Sequence, residues 1–374
     1  MKLVTNVPLT SPTGGLEMHV LQVSRELASR GHDVHLLYAE GGSLLPEYRR
    51  FCRSVTQVTT VDYWYPTGRR ALPGQMIRMV PAIWAAARRR PDVLYGNRVM
   101  SNGWTVPAGA LTSAPVVCHE HGYLELSSRR IDFINRHVDR FIMISQFVAD
   151  PWLARGLDPD KVEVVHNGID PTEYPFGGLE ERSAARRSLG LPDDAFVVTF
   201  LGRLDRVKGV DVLLKAWRLL GLDPERARLL VVGSSVTDHD AGGHLAELQE
   251  LADDTVQFLP AQRDVIPPLH AADAVVVPSL WDEPFGRVVI EALSTGRPVL
   301  ASRVGGIPEI LTGPLERFLF ERGDVPGLAD RLASLAEWRD NEPELAATCV
   351  SRVYEGFTLD QMVDGVEAVF RSVT

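Results

Sequence analysis

The chain has 374 residues, 45% of them hydrophobic, and a formal net charge of −10. This length exceeds what a single core normally serves and predicts about two domains. Composition excludes several classes of protein: no apolar run is long enough to span a bilayer, the N-terminus reads as a strand and not as a cleavable leader, and neither half is basic enough to bind nucleic acid.

The cysteines indicate a reducing environment. Cys52, Cys118 and Cys349 are far apart, odd in number and form no Cys-x-x-Cys pair. Such a set is typical of cytosolic proteins and argues against both a disulfide framework and a zinc site. We therefore expect a cytoplasmic protein in which Cys118 is a small core residue on a strand.

Both halves of the chain alternate short β-branched runs with helical segments. The runs of the first half are KLVTNV, DVHLLYA, DVLYGN, APVVCHEH, RFIMIS and KVEVVHN, and those of the second half are AFVVTFLG, ARLLVVGS, VQFLP, AVVVPS and PVLAS. Near-continuous apolar strands between helices predict parallel sheets covered on both faces. The predicted fold class is α/β, with two doubly wound, Rossmann-like domains facing each other across a cleft.

The boundary between the domains is predicted in NGIDPTEYPFGGLEE, which is rich in turn formers. This gives a first domain of residues 1–175 and a second of residues 176–356. Because doubly wound sheets bind ligands beyond the carboxyl ends of their strands, we expect the site in the cleft.

Two adjacent glycines follow the first strand. Gly14 and Gly15 open a helix predicted near residues 15–30, so their amides can approach a bound phosphate closely. A different interpretation comes from Glu40, which ends the second strand where a dinucleotide-binding domain places its ribose-binding acid. We prefer the phosphate interpretation because the Gly-x-Gly-x-x-Gly fingerprint of a nicotinamide oxidoreductase is absent.

A basic stretch runs from Arg69 to Arg90, and Pro73 and Pro81 are expected to interrupt it. Two interpretations stay open. The stretch lies on an anionic membrane at the inner face, or it is an ordinary helix with charged ends, which we favour.

His119 and His121 end the strand PVVCHEH, at the expected ligand-binding edge. Strand alternation directs both to the same side. Two histidines flanking Glu120 can be metal ligands, general bases or ordinary polar residues. Because the sequence shows no third ligand cluster, we expect no metal ion here and favour a histidine that faces the substrate.

The loop in FLGRLDRVKGVDV carries two cations. The strand is predicted to end at Gly202 and the next helix to start near Gly209 or Val210, which leaves Arg203 and Lys208 between them. Cations at the carboxyl edge of a sheet, ahead of a helix, form an anion site that suits a diphosphate. A solvated loop with ordinary charges is the alternative, and this segment alone does not decide between them.

The segment WDEPFGRVVIEALSTG holds Glu283 and Glu291 with seven residues between them. Glu283 lies in a loop beside helix-start amides that are expected to lack partners, and it is placed to accept hydrogen bonds from sugar hydroxyls. Glu291 lies further along the helix, which Gly296 ends, and can reach a ribose. The alternative for Glu291 is a partly exposed helix residue. The amides at this helix start are those of Phe285, Gly286 and Arg287, and the helix face of Val288 and Ala292 is expected to pack on the sheet.

Together these segments resemble the retaining glycosyltransferases of family four, which have the GT-B fold. The family pattern E-x-F-G, E-A and G-x-P-V is matched by Glu283, Phe285, Gly286, Glu291, Ala292, Gly296, Pro298 and Val299. The Gly14–Gly15 loop, His121–Gly122, NGID, GRLDRVKG and GGIPEI follow in the family's order. The end of the chain, residues 357–374, resembles the helix that crosses back to the first domain.

The resemblance implies transfer of a hexosyl or N-acetylhexosaminyl group, with retention and without a metal ion or other cofactor. The sugar donor is a UDP-sugar, or else a GDP-sugar, and the acceptor is a hydroxyl of a glycan, a lipid carrier or a small natural product. The first domain would bind the acceptor and the second the nucleotide sugar. The implied catalytic residues are His121 (His119 in the other register), Arg203, Lys208 and Glu283, and the implied donor-binding residues are Gly14, Gly15, Phe258, Leu259, Phe285, Gly286, Arg287, Val288 and Glu291.

Two segments depart from the family pattern. VVGSSVTDHDAGG is longer and richer in serine than the usual G-x-G, and LTGPLERFLF replaces D-G-x-x-G-x-L-V. Two further functions stay open on the same fold: a sugar-nucleotide epimerase, and a sugar-nucleotide-binding protein that has lost catalysis.

Overall fold

The computed structural model describes residues 1–12, 14–62, 72–223, 225–234 and 241–374. The chain divides into two compact units, one of Met1–Asn167 with Leu359–Thr374 and one of Gly168–Thr358. The turn-rich segment in which the sequence places the boundary, at residue 175, therefore lies mostly within the second unit. None of the described helices is long and apolar enough to cross a lipid bilayer.

The first unit is built on one parallel sheet. Its strands within the described residues are β1 (Lys2–Leu9), β2 (Asp33–Glu40), β3 (Ser54–Gln57), β4 (Val93–Asn97), β5 (Val116–Glu120), β6 (Arg140–Met143) and β7 (Val162–Val164). They are arranged in the order β3-β2-β1-β4-β5-β6-β7, so the order reverses between β1 and β4. All residues of β4 and β5 are buried, as expected for central strands covered on both faces.

Helices cover this sheet. They are α1 (Gly15–Ser29), α2 (Leu45–Phe51), α3 (Leu72–Ala87), α4 (Asn102–Thr112), α5 (Ser128–His137) and α6 (Gln146–Ala154). Cys118 is fully buried on β5, which confirms the prediction of a core residue. The helix predicted near residues 15–30 is α1, and its buried face carries Val20, Val23 and Leu27.

Helix α3 corrects one prediction. Pro73 and Pro81 do not interrupt the segment, because α3 continues through both. Pro73 stands in the first turn, where a missing N–H costs no helical hydrogen bond. Met76, Ile77, Val80 and Trp84 are exposed on this helix. Arg69, Arg70 and Ala71 of the basic stretch lie outside the described residues, and membrane contact stays a prediction.

The last helix of the chain, α16 (Leu359–Arg371), belongs to the first unit. Its apolar face packs in a core with residues of β1 and β4, and the side chains of Val363, Val366 and Phe370 are completely buried. Burying a side chain of this size stabilises a fold by about 1.5–3 kcal/mol. At the rim, Arg30 forms ion pairs with Asp360 and Asp364 of α16.

The second unit is built on a second parallel sheet. Its strands within the described residues are β8 (Phe196–Leu201), β9 (Ala227–Val232), β10 (Val256–Leu259), β11 (Ala274–Val277), β12 (Val299–Ser302) and β13 (Leu319–Phe320). Their order is β10-β9-β8-β11-β12-β13, so the reversal falls between β8 and β11. The predicted α/β class with two doubly wound parallel sheets is thus confirmed.

The second unit also contains helices, the first of which precedes its first strand. They are α7 (Leu179–Leu189), α8 (Val210–Leu219), α9 (Ala241–Leu251), α10 (Ile266–Ala271), α11 (Arg287–Ser294), α12 (Ile307–Ile310), α13 (Val325–Ser334), α14 (Trp338–Asn341) and α15 (Leu345–Gly356). Helix α8 begins at Val210 and Gly296 follows α11 with a φ of +80°, both as predicted. The fold places the loops after β8 and β11 next to each other.

Candidate active site

Two loops of the second unit meet beside the reversal of strand order. Doubly wound sheets bind ligands beyond the carboxyl ends of the strands at such a reversal. Here those strands are β8 and β11, which are direct neighbours. Arg203 and Lys208 follow β8, and Ser279 and Glu283 follow β11. Residues that are far apart in sequence are thereby brought to one edge of the sheet.

The backbones of these loops are locked together. The loop after β8 ends in a 3₁₀ turn, Arg206–Lys208, followed by Gly209 with a φ of +68°. A Cβ atom on Gly209 would lie 2.0 Å from the carbonyl oxygen of Pro278, so only glycine permits this approach. The amide of Leu280 donates to the carbonyl of Val207 at 2.8 Å. The position of Lys208 is therefore fixed by main-chain contacts.

Lys208 and Glu283 form an ion pair at this edge. Lys208 Nζ donates to Glu283 Oε1 at 2.5 Å, and Ser279 Oγ donates to the same oxygen at 2.6 Å. The side chains of Lys208 and Glu283 are 21% and 13% exposed. A carboxylate so little exposed needs partners. Both bonds fall on Oε1, and no described residue binds Oε2, so this oxygen is available to a ligand hydroxyl.

The segment GGIPEI, residues 305–310, contacts the backbone of Glu283. The amide of Gly306 donates to the carbonyl of Glu283 at 2.8 Å. Gly305 has a φ of +57°, and a Cβ atom there would lie 1.9 Å from the same carbonyl oxygen. The Gly305–Gly306 pair thus has a structural role, because it lets the backbone carrying Glu283 lie against the turn before α12.

The carboxylate of Glu291, like that of Glu283, has one oxygen held by two hydrogen-bond donors. On α11, Arg287 Nε donates to Glu291 Oε1 at 2.7 Å, and the Tyr174 hydroxyl donates to that oxygen at 3.2 Å. The Glu291 side chain is 12% exposed, so it is a partly exposed helix residue whose carboxylate has partners, and its contact with a ribose stays a prediction. No described residue binds Oε2. Burial, with the nearby Glu291 carboxylate, raises the pKa of Tyr174, which keeps the phenol protonated as a donor.

The start of α11 needs a glycine. Gly286 has a φ of +103°, and a Cβ atom there would lie 2.8 Å from Ile307 Cγ1. Phe285 is 2% exposed and its ring lies 5.9 Å from that of Phe357, so its side chain is a core group and only its backbone can approach a ligand. Amides in the first turn of a helix have no intrahelical acceptor and can bind anions.

The buried face of α11 differs in part from the prediction. Ala292 is buried, together with Val289 and Leu293, but Val288 is only half-buried. Helical periodicity sets this face, since residues three and four apart share a side. Val288 therefore lies at the margin of the packed face.

The other residues predicted around a nucleotide sugar in this unit are spread along the sheet edge. Arg203 is 49% exposed, and its guanidinium lies 3.2 Å from the carboxylate of Asp205. Phe258 and Leu259 are half-buried on β10, the edge strand separated from β8 by β9. Their contacts with a bound nucleotide stay predictions.

In the first unit, Gly14 and Gly15 stand where β1 leads into α1. Gly14 has an extended backbone, with a φ of −167°, and Gly15 is the first residue of the helix. A Cβ atom on Gly15 would meet nothing within 4 Å. The backbone conformation at these two positions does not require glycine. The open space beside the start of the helix is therefore the one observation here that supports a phosphate contact.

A cluster of three histidines lies nearby in the same unit. The rings of His119 and His121 are stacked with centroids 4.6 Å apart, which confirms that they point the same way. His19 of α1 meets them edge-on, at 4.7 Å and 4.5 Å. The Tyr95 hydroxyl lies 2.5 Å from His119 Nδ1. Burial lowers the pKa of both His119 and His121 well below the usual value, with nearby His19 adding to the effect, so both rings are neutral at pH 7.

This cluster corrects the argument used against a metal ion. The sequence showed no third ligand, but His19 supplies one: one nitrogen of each ring lies within 4.8 Å of the others, the one such group among the described residues. Neutral imidazoles are ligands that zinc accepts. These three histidines are therefore the residues that could hold a metal, and the prediction of a metal-free enzyme needs a direct test.

Sequence reasoning missed three residues at these sites. Ser279 was taken only as the end of a strand and Tyr174 only as part of a linker, yet each binds one of the two carboxylates. His19 was overlooked because it stands in a helix whose other buried residues are mainly apolar. A histidine on such a face was the signal in the sequence that other polar residues lie beside it, since a buried imidazole needs hydrogen-bond partners.

Comparison with known proteins gives a consistent picture. The protein-family model described as Glycosyltransferase Family 4 matches residues 13–173. A second family model, described as Glycosyl transferases group 1, matches residues 195–337. The D-inositol 3-phosphate glycosyltransferase of Actinosynnema mirum is 30% identical, over 97% of this chain and 93% of that protein. Its namesake from Salinispora arenicola is 31% identical, over 88% and 80%.

Solved structures share the fold. Anabaena Alr3699/HepE, crystallised in complex with UDP and glucose, matches with a TM-score of 0.82 at 22% identity over the full length of both chains. A glycosyltransferase from Rickettsia africae matches with a TM-score of 0.86 at 18% identity, over 100% of this chain and 98% of that one. At these identities the likeness concerns the fold.

Proposed function

This chain belongs to glycosyltransferase family 4, and on that basis we propose that it transfers a hexosyl or N-acetylhexosaminyl group from a nucleotide diphosphate sugar to a hydroxyl, with retention and without a metal ion. The observation that carries the proposal is the fixed group of Lys208, Ser279 and Glu283 at the reversal of strand order. A cation and an oriented carboxylate at this edge suit a diphosphate and a sugar hydroxyl.

The sugar donor is proposed to be a UDP-sugar. The complexes of Alr3699/HepE with UDP and glucose and with UDP-glucose support this for a protein of the same fold. In this chain, Glu283 Oε2 would accept from a hydroxyl of the sugar, and Glu291 Oε2 from the ribose. Because each carboxylate has its other oxygen tied by two donors, little orientational freedom is lost on binding.

Charge develops on the leaving diphosphate as the sugar–phosphate bond breaks. Lys208 has three N–H donors and donates one to Glu283, which leaves the other two for phosphate oxygens. Arg203, with an exposed guanidinium, and the first amides of α11 would complete the anion site. Groups held where charge appears stabilise the transition state more than the ground state, so protein cations can take the role of Mg²⁺.

Retention is proposed to follow from attack on the face that the diphosphate leaves. A leaving phosphate oxygen then accepts the proton of the attacking hydroxyl, and no carboxylate is required as a base. Glu283 serves by holding the sugar. His121, neutral because of its burial, is proposed to approach the acceptor side of the sugar, and Gly14 and Gly15 to donate amides to the phosphate.

The acceptor is proposed to be a small polyol or its phosphate. The relatives at 30% and 31% identity are named for D-inositol 3-phosphate, and this supports a compact, hydroxyl-rich acceptor in place of a lipid carrier. An epimerase of the same fold and a catalytically silent binding protein remain the competing functions.

The test is a matrix of nucleotide sugars and acceptors. Each UDP- and GDP-sugar is incubated with and without a panel of inositols, sugars and their phosphates, and products are analysed by NMR. We expect one acceptor-dependent product with the anomeric configuration of the sugar donor. Conversion of the nucleotide sugar without acceptor would indicate an epimerase, inversion would overturn retention, and binding without any product would indicate a silent protein.

A further inference from the structure

The segment that opens the second unit is held in place by its main chain. The Tyr174 carbonyl accepts from Ser294 Oγ at 2.7 Å, and the Gly177 carbonyl accepts from the guanidinium of Arg297 at 2.8 Å. A Cβ atom on Gly177 would lie 2.6 Å from the ring of His270, so this backbone packs closely on the unit. The position of Tyr174 therefore does not depend on its hydroxyl group.

That hydroxyl donates to the carboxylate of Glu291. It lies 3.2 Å from Oε1, to which Arg287 Nε also donates at 2.7 Å. Arg287 and Glu291 are four residues apart on α11, so their side chains lie on the same side of the helix. The tyrosine thus adds a second donor, from a different segment, to an ion pair that the helix forms by itself.

The ion pair is one-sided, although it could occupy both carboxylate oxygens. A guanidinium and a carboxylate frequently form two parallel hydrogen bonds, and such a fork between Arg287 and Glu291 would engage Oε1 and Oε2 together. In this structure the pair uses Oε1 alone, and no described residue binds Oε2. Rotation of the carboxylate into the fork would break the hydrogen bond from Tyr174. The tyrosine hydroxyl therefore stabilises the arrangement that leaves Oε2 available to a ligand.

We propose that Tyr174 is a positioning residue, which keeps Glu291 Oε2 available to a ribose hydroxyl and thereby makes the site select ribonucleotides over deoxyribonucleotides. The proposal rests on the proposed function, which gives Glu291 the ribose contact, and it adds the residue that orients this carboxylate. A nucleotide without the hydroxyl leaves a charged acceptor unpaired in a poorly hydrated site, and it is rejected for that reason.

Deoxynucleotides test this role on the full-length protein. Dissociation constants of UDP, 2′-deoxy-UDP and 3′-deoxy-UDP are measured by calorimetry for the wild type and for Tyr174→Phe. For the wild type we expect at least one deoxy form to bind about tenfold or more weakly than UDP, the loss of one hydrogen bond to a charged group. For Tyr174→Phe we expect this ratio to fall to about threefold or less, because Arg287 then competes for Oε2 and UDP itself binds more weakly.

Two further variants separate orientation of Glu291 from packing. Glu291→Ala should bring the ratio close to one, and adding Tyr174→Phe to it should change the ratio no further, since the two residues act through one contact. Tyr354→Phe, at an exposed tyrosine on α15, is the matched control and should keep the wild-type ratio. Circular dichroism of each variant separates loss of a contact from loss of the fold.

Two results would overturn the role of Tyr174. If Tyr174→Phe weakens UDP and both deoxy forms alike, or keeps the wild-type ratio, the tyrosine contributes packing only. If the wild type binds UDP and both deoxy forms equally well, Glu291 makes no selective contact with the ribose. Both results leave nucleotide binding intact. Failure of the wild type to bind UDP, or GDP in parallel titrations, would instead reject the proposed function and this role with it.

Discussion

Buried polar side-chain atoms that lack a partner among the described residues are more numerous in the first unit than in the second, where they are Asp205 Oδ1, His244 Nε2, Arg297 Nε and Ser302 Oγ. Glu283 and Glu291 each have one oxygen held by two donors. In contrast, Asp62 Oδ1 and the Nε2 atoms of His119 and His121 are buried without a partner among the described residues.

The difference concerns preorganisation. A site whose charges are already fixed can bind a constant ligand with little reorganisation, which suits the nucleotide diphosphate of the proposed sugar donor. A site with unsatisfied groups is completed by its ligand and discriminates against molecules that leave those groups unpaired. Under the proposed function, the second unit would bind the sugar donor and the first unit would select a substrate.

Asp273 provides the sharpest test of internal pairing in the second unit. This residue is 4% exposed, and its carboxylate accepts from Arg186 at 2.7 Å, Arg339 at 2.9 Å and Arg182 at 3.1 Å. Asp273→Ala would leave these cations facing one another in a poorly hydrated site. We expect a loss of about 3–5 kcal/mol in the free energy of unfolding, measured in urea by circular dichroism.

Asp330→Ala is the matched control, since Asp330 is exposed on α13. A surface change of this kind should stay within about 0.5 kcal/mol. If Asp273→Ala is no more destabilising than Asp330→Ala, pairing within the second unit contributes little and the contrast between the units fails.

Lys208 tests the same contrast at the site itself. Lys208→Ala removes the cation from the proposed diphosphate position and leaves Ser279 as the described partner of the Glu283 carboxylate. We expect kcat to fall by about 10²–10³, as for the loss of one oxyanion donor, with a much smaller change in KM for the nucleotide sugar. Lys215→Ala, which removes an exposed lysine on α8 paired only with Asp211, should leave both constants unchanged. A loss confined to KM would show that Lys208 only binds substrate.

The sequence predicted the general architecture well and the local geometry less well. Apolar strands between amphipathic helices suffice for two doubly wound sheets, and the loops holding Lys208 and Glu283 could be located because glycine and proline mark them. Periodicity also directed His119 and His121 to one side. These features depend on local spacing, which a sequence displays.

Contacts between distant segments could not be read in this way. Tyr174 reaches Glu291 from a segment taken as a linker, and His19 joins the other histidines from a different element. A cavity around Asp62 needs the ends of several strands and α3 to be assembled first. Each of these arrangements depends on the order of the strands and on how the helices pack, so no sequence motif predicts it.

Glu120 sharpens the comparison from the side of the first unit. It is buried on β5, accepting from the Val99 amide and the Cys118 thiol, and burial raises its pKa to about 8. The native state therefore holds a proton that the unfolded chain loses at its ordinary pKa near 4.5. Stability from this group is complete below that value and is lost as the pH rises towards 8.

Glu120→Gln should remove this dependence. Between pH 5 and pH 8 we expect the wild type to lose at least about 1.4 kcal/mol relative to the variant, the equivalent of one pKa unit. Urea unfolding at both values measures it. Parallel curves for the two proteins would mean that Glu120 ionises in the folded state as it does in the unfolded chain.

The histidine cluster gives the smallest expected effect, which is none. His19, His119 and His121 are close enough to hold a metal, yet the proposed transfer relies on Lys208, Arg203 and helix amides for the charge of the leaving diphosphate. Extensive dialysis against EDTA should therefore leave the rate of sugar transfer unchanged. If EDTA abolishes activity, zinc restores it and His19→Gln prevents the restoration, the metal site is real and the first unit supplies charge after all. Loss that Mg²⁺ restores equally in wild type and His19→Gln would instead place a cation at the diphosphate, and would overturn the role given to Lys208.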